Sequence, residues 1–165
     1  MALFIAYLIV FLLAATPFIE IVGIIPIGVI AGLHAAPVII VAWIGNMLTI
    51  LIVILLTDKI KQWMQMRNEK NPEKAKKREE RAGRVWKKYG LPGLALISPI
   101  LIGSHLGAVL AISFGGTKKQ IAFWMTASIF IWAVITGIAS YYGAEFLFQQ
   151  TGYEGFLVDV LQQTK

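Results

Sequence analysis

Glu20 is the only acidic residue between Met1 and Thr57. It lies inside the apolar run Thr16–Pro17–Phe18–Ile19–Glu20–Ile21–Val22–Gly23–Ile24–Ile25–Pro26–Ile27–Gly28. A carboxylate in hydrocarbon costs several kcal/mol unless it is paired, hydrated or protonated, so chains seldom keep one without a use. Pro17 and Pro26 remove backbone donors, and Gly23 and Gly28 let the chain bend or approach closely. Irregular backbone at membrane depth is tolerated where protein or a water-filled cavity covers it. The pattern predicts that Glu20 faces an internal polar place. Its chemistry there is proton exchange, because burial raises a carboxyl pKa toward the working range. A plainer role is to accept hydrogen bonds from nearby freed backbone N–H groups.

A second polar set lies in the later half of the chain. Ser98–Pro99 and Gly103–Ser104–His105–Leu106–Gly107 interrupt the apolar stretch Leu94–Phe114. Histidine titrates near neutral pH, which makes His105 the candidate partner of Glu20, the two meeting near the midplane of a symmetric pair of hairpins. A neutral imidazole bonded to a freed carbonyl is the other reading of His105. Broken helices expose N–H groups that attract anions. Ser98, Ser104 and Asn46, with the backbone around Pro17, Gly23, Pro26, Gly28, Pro99, Gly103 and Gly107, are therefore candidates for holding a phosphate headgroup or another small anion. Asn46 also serves the plainer purpose of bonding one helix to another. His34, in the turn Gly32–Pro37, is expected to be solvated.

These groups need a membrane fold to position them. The chain is 58% hydrophobic and 15% charged, with mean hydropathy +0.73, against about 45–50% and about 25% in soluble domains. It has no cysteine and two histidines, which excludes thiol chemistry and argues against a resident metal or cofactor. The N-terminus lacks the basic region and small-residue cleavage site of a signal peptide. With one buried acid and no nucleophile–base set, an enzyme is not expected.

Residues 1–57 read as a first membrane repeat, a Pro/Gly-broken hairpin followed by the span Val38–Leu56. Residues 58–90 carry 12 of the 15 Lys and Arg and form a basic cytoplasmic loop by the positive-inside rule. Asn71–Pro72 is a helix-start signal, so two helices are expected, about 58–70 and 72–89. Trp63 and Trp86 suit a membrane interface. A basic loop between membrane segments is explained by topology and lipid headgroups, so no nucleic acid is expected. Residues 91–142 read as a second repeat of broken hairpin plus span, and 143–165 as an amphipathic interfacial tail. The interval from Gly32 to Gly45 equals the interval from Gly115 to Ser128. The halves thus predict an all-α membrane protein, built as an inverted repeat of two re-entrant hairpins, with a transport site near the midplane. So few helices per chain imply a homo-oligomer, a dimer or larger, among membrane lipids. The termini are expected on the non-cytoplasmic side of the plasma membrane.

Pro17–Phe18–Ile19–Glu20–Ile21–Val22–Gly23–Ile24–Ile25–Pro26, Gly45–Asn46, and Lys88–Tyr89–Gly90 leading into Ser98–Pro99 and Gly103–Gly107 resemble the small multidrug export family, itself similar to the DedA-like membrane proteins. The Glu-x-x-Gly-x-Ile-Pro piece is the most specific part, and the resemblance covers nearly the whole chain. The family pattern usually has an arginine just before that glycine, where this chain has Val22. It usually continues its second motif with a threonine–glycine–aromatic stretch, matched here only in outline. The resemblance implies facing re-entrant hairpins in an oligomer. It also implies proton-gradient-dependent movement of a lipid carrier such as a polyprenyl phosphate, or of a phospholipid. The alternatives are export of small molecules or ions, and a structural assembly role.

Overall fold

The structure is a computed structural model that describes residues 2–16, 19–56, 59, 62 and 72–151. Among these it is all-helical, with α1 (Ala2–Ala14), α2 (Ile21–Ile30), α3 (Ala35–Leu55), α4 (Pro72–Leu101), α5 (Ser104–Ser113) and α6 (Lys118–Thr151). Pro17, Trp63, most of the expected 58–70 helix and the tail beyond residue 151 lie outside the described residues.

Two helices are long and apolar enough to cross a bilayer, Ala35–Leu55 and Lys118–Leu147. Their outward faces are apolar too. On α3, Val38, Ala42, Ile50 and Ile54 are buried, while Ile40, Ile44, Leu48, Leu51 and Leu55 are exposed. On α6, Ile121, Met125, Ile129 and Ala133 are buried, while Phe123, Phe130, Ile135 and Ile138 are exposed. A monomer in water rarely exposes so much contiguous apolar surface. Against lipid, those faces meet their own kind of solvent.

The chain divides into two compact units, residues 1–46 with 130–165, and residues 47–129. In the first, small residues let helices touch. A Cβ on Gly28 would lie 3.1 Å from Val38 Cγ1, and one on Gly45 would lie 2.6 Å from the Phe11 carbonyl. Gly137 meets Ile39 more closely still, and Trp43 stacks edge-on against Phe130 at 5.7 Å. Small residues at such contacts are how helices pack in membranes, where hydrophobic burial cannot drive association.

In the second unit α4 bends at Gly90, whose φ of 65° and ψ of −158° are non-helical. The arm before the bend is the expected basic helix. It folds back on the arm after it, so that Arg81, Ala82 and Val85 share one small cavity with Leu94, Ser98 and Leu101. Trp86, expected at a membrane interface, is half-buried with its ring 5.6 Å from that of Phe114. α6 opens with a capping box, in which Gln120 N–H donates to Thr117 Oγ1 at 3.4 Å and Thr117 N–H donates to Gln120 Oε1 at 3.5 Å. Lys118 Nζ donates to the Leu55 carbonyl at the end of α3, at 3.4 Å.

The same backbone closure occurs in each unit. α2 ends with Leu33 N–H donating to Gly28 O (3.1 Å) and Gly32 N–H to Val29 O (3.0 Å). α5 ends with Gly116 N–H donating to Ala111 O (3.0 Å) and Gly115 N–H to Ile112 O (3.1 Å). Both are Schellman turns. Gly32 (φ 96°) and Gly115 (φ 99°) supply the left-handed residue. Every partner in the first turn recurs in the second at one constant offset along the chain. The helix starts keep the same offset (Ile21 to Ser104, Ala35 to Lys118), as do the turn glycines.

Several expected breaks fall elsewhere. Pro26 and Gly28 lie within α2, Pro99 within α4 and Gly107 within α5. The chain actually turns at Gly103, whose φ of 92° only glycine adopts readily. Pro99 lacks the N–H that would bond Ala95 O, yet that carbonyl is not abandoned. Ser128 Oγ donates to it at 2.8 Å and Ser98 Oγ at 3.2 Å, so the helix continues through the proline, as serine hydroxyls permit in membrane helices. The second span, expected to end at residue 142, runs on through Gly143 without a break in α6. A helical glycine costs only about 1 kcal/mol. The pairing at Ala95 predicts non-additive stability. Ser128→Ala should cost about 1 kcal/mol in the unaltered chain. It should cost almost nothing in a Pro99→Ala background, where the substituted residue regains the backbone N–H that bonds Ala95 O. Thermal unfolding of the four variants in detergent measures this, and equal losses in both backgrounds would refute it.

Candidate functional site

α5 starts at the Gly103 turn, where Gly103 N–H and Ile102 N–H both donate to Ser98 O at 2.7 and 3.1 Å. This tight return sets Gly107 flat against Ser98, with no room for a Cβ between them. The first two side chains of α5, Ser104 and His105, are thereby directed inward and are buried.

His105 is held at both ring nitrogens. Thr49 Oγ1 of α3 lies 3.0 Å from Nε2, and Ser104 Oγ lies 3.3 Å from Nδ1. In the neutral ring one nitrogen donates and the other accepts, and a hydroxyl can do either. When the ring is protonated both nitrogens donate, and both hydroxyls can accept. The site thus serves either charge state by turning hydroxyl hydrogens, without moving heavy atoms.

The sequence did not single out Thr49. Its signal is the spacing Asn46-x-x-Thr49, which puts two polar groups on one face of an apolar span. Asn46 itself is fully buried, in the first unit. Ser98 is 1% exposed, and its hydroxyl donates to the Ala95 carbonyl.

Glu20 is the N-cap residue of α2, half-buried, with extended backbone (φ −83°, ψ 148°). Its carbonyl accepts from Gly23 N–H at 2.9 Å and Ile24 N–H at 3.3 Å. Its carboxylate makes no capping hydrogen bond to the helix. The carboxyl group stands at the N-terminal, positive end of the α2 dipole. In the register set by the two Schellman turns, Glu20 corresponds to Gly103, and His105 corresponds to Val22. His34 is exposed in the turn before α3. Among the described residues no group of three His, Asp or Glu side chains is placed to hold a metal ion.

The site residues Glu20, Asn46, Thr49, Ser98, Ser104 and His105 all fall within residues 20–135, the segment matched by a family model described as "Putative small multi-drug export protein". No curated protein and no solved structure matches the chain. The family match spans more than two thirds of the sequence and takes in α2 and α5 with the turns that close them: this membrane protein belongs to the small multi-drug export protein family.

Proposed function

We propose that the protein is a proton-coupled membrane exporter, not an enzyme, that moves an anionic lipid or lipid carrier, a polyprenyl phosphate or a phospholipid. The observation that carries the reading is the Thr49–His105–Ser104 set, with His105 and Ser104 buried and Thr49 half-buried, which accommodates a proton on the ring without moving its partners' heavy atoms. Such a group at membrane depth marks a proton or substrate path by default. Glu20, at the start of the corresponding short helix, is the second proton carrier. The positive N-terminal end of α5 attracts the substrate anion, and the exposed apolar helix faces suit a substrate whose chain stays in lipid. Similarity to DedA-like proteins supports a lipid substrate.

In this reading the recurrence between the two units is an inverted repeat of two re-entrant hairpins. The basic segment 58–90 is cytoplasmic and concentrates anionic lipid at one mouth. The protein works in the plasma membrane as a homo-oligomer. The test is transbilayer movement of a fluorescent polyprenyl phosphate and a fluorescent phospholipid in proteoliposomes, with and without a pH gradient. The unaltered protein should move at least one of them faster with the gradient, and Glu20→Gln should lose the gradient-dependent part. Movement by Glu20→Gln that keeps its gradient dependence would remove Glu20 from the mechanism. The family description favours a second reading, export of a small amphipathic molecule. Failure of both lipids to move, with gradient-driven efflux of such a molecule, would establish it.

A further inference from the structure

The first unit holds a groove that neither Glu20 nor His105 touches. It lies where the α2–α3 turn faces the last turns of α6, and encloses about 340 Å³. Small-molecule sites run from about 300 to 1,000 Å³. The floor is apolar, built from the buried Val29, Leu33 and Ala144. The rim is polar, with His34, Tyr141 and Glu145. It is at the opposite end of α2 from Glu20, about 15 Å away at about 1.5 Å per residue.

Charge decides what such a groove prefers. Among the described residues of this unit the charged side chains are Glu20 and Glu145, with no lysine or arginine. Glu145 therefore gives the groove a carboxylate with no ammonium or guanidinium among those residues to neutralise it. The two helix ends at the groove nearly cancel, since α2 presents its negative end and α3 its positive end, each about half a charge. The full charge of Glu145 is left to set the sign. Tyr141, stacked edge-on with Tyr142 at 5.5 Å, adds a ring face of the kind that attracts cations. Paired tyrosines near the end of a span also mark the interface with lipid headgroups, so a ligand reaching the groove can be amphipathic.

We infer that this groove binds an organic ammonium ion, with the positive nitrogen between Glu145 and the Tyr141 ring and the apolar part on Val29, Leu33 and Ala144. The site is separate from the proton-carrying groups, and its test reads binding rather than transport. The ammonium has two sources, a free amphipathic amine or the choline headgroup of a neighbouring lipid.

The test is calorimetric titration of the full chain in maltoside micelles with benzyltrimethylammonium, alongside neopentylbenzene, its neutral isostere, and benzylsulfonate. The cation should bind, and the isostere and the anion should bind at least about tenfold more weakly. Glu145→Gln should weaken the cation about tenfold or more, the loss expected when a charge-assisted contact becomes neutral. Tyr141→Ala should weaken it several-fold, while Glu79→Gln, an exposed acid of the other unit, should leave it unchanged. Competition by short-chain phosphatidylcholine, but not phosphatidylglycerol, would assign the source as a lipid headgroup. Its absence would assign a free amine. Binding that survives Glu145→Gln intact, equal binding of the neutral isostere, or no binding of the cation would overturn the inference.

Discussion

Gly107→Ala should unfold the protein at a markedly lower temperature than the unaltered chain, and Gly107→Val should fail to fold. A Cβ on Gly107 would overlap Ser98 Cβ and Oγ, and Ser98 is not free to yield. It is 1% exposed, its hydroxyl bonds Ala95 O, and its carbonyl accepts from both Ile102 and Gly103. The α4–α5 pair must therefore part, and overpacking of this kind costs about 1–3 kcal/mol or more. Gly23 is the contrasting case. It too is inside a helix, but nothing lies within 4 Å of a Cβ built there. Gly23→Ala should be neutral or stabilising by about 0.5–1 kcal/mol, because alanine loses less backbone freedom on folding. Thermal unfolding in detergent separates the two. If Gly107→Ala melts with the unaltered protein, the close contact with Ser98 does not hold the hairpin together. Ser98→Gly should partly rescue Gly107→Ala if the contact is what matters.

What was legible in the sequence is what local chemistry dictates. Gly32 and Gly115 close their turns because only a left-handed residue completes a Schellman turn, and α4 begins at Pro72, whose fixed φ suits the first helical position. The equal spacing from those glycines to Gly45 and Ser128 extends, in the structure, to whole hydrogen-bond patterns. What was not legible depends on distant partners. Pro99 reads as a break, but a proline breaks a helix only if the carbonyl it frees stays unsatisfied. The partner of that carbonyl, Ser128, belongs to another helix, far along the chain. Thr49 was missed for a related reason, since its spacing from Asn46 marks only a polar face of the span until the fold brings His105 against it. The end of the second span at residue 142 was set short, because one glycine is a small cost to a strongly apolar helix and α6 runs on through Gly143. The groove near His34 was invisible because Tyr141 and Glu145 are far from it in the chain.

His105→Phe should abolish gradient-dependent transport while Thr49→Val only reduces it, and the pair should not be additive. The phenyl ring keeps a planar aromatic, somewhat larger than the imidazole, but offers no nitrogen, so the Thr49 and Ser104 hydroxyls lose it as a partner. Valine for Thr49 removes one hydroxyl and leaves the ring bonded to Ser104. The ring keeps one of its two hydroxyl partners, and the loss of an interaction worth about 1–3 kcal/mol changes a coupling roughly 5–150-fold. With His105 already replaced, Thr49→Val no longer costs the ring a partner, so the double variant should transport as His105→Phe alone, with a coupling of about 0.5–3 kcal/mol in the cycle. Stability must be read beside transport. A merely structural role lowers the melting temperature of each variant but leaves the surviving protein with the same ratio of movement with and without the pH gradient. A proton-carrying role collapses that ratio toward one, most completely in His105→Phe. Gradient dependence that persists in folded His105→Phe would make the imidazole a packing group, and the coupling would then rest on Glu20.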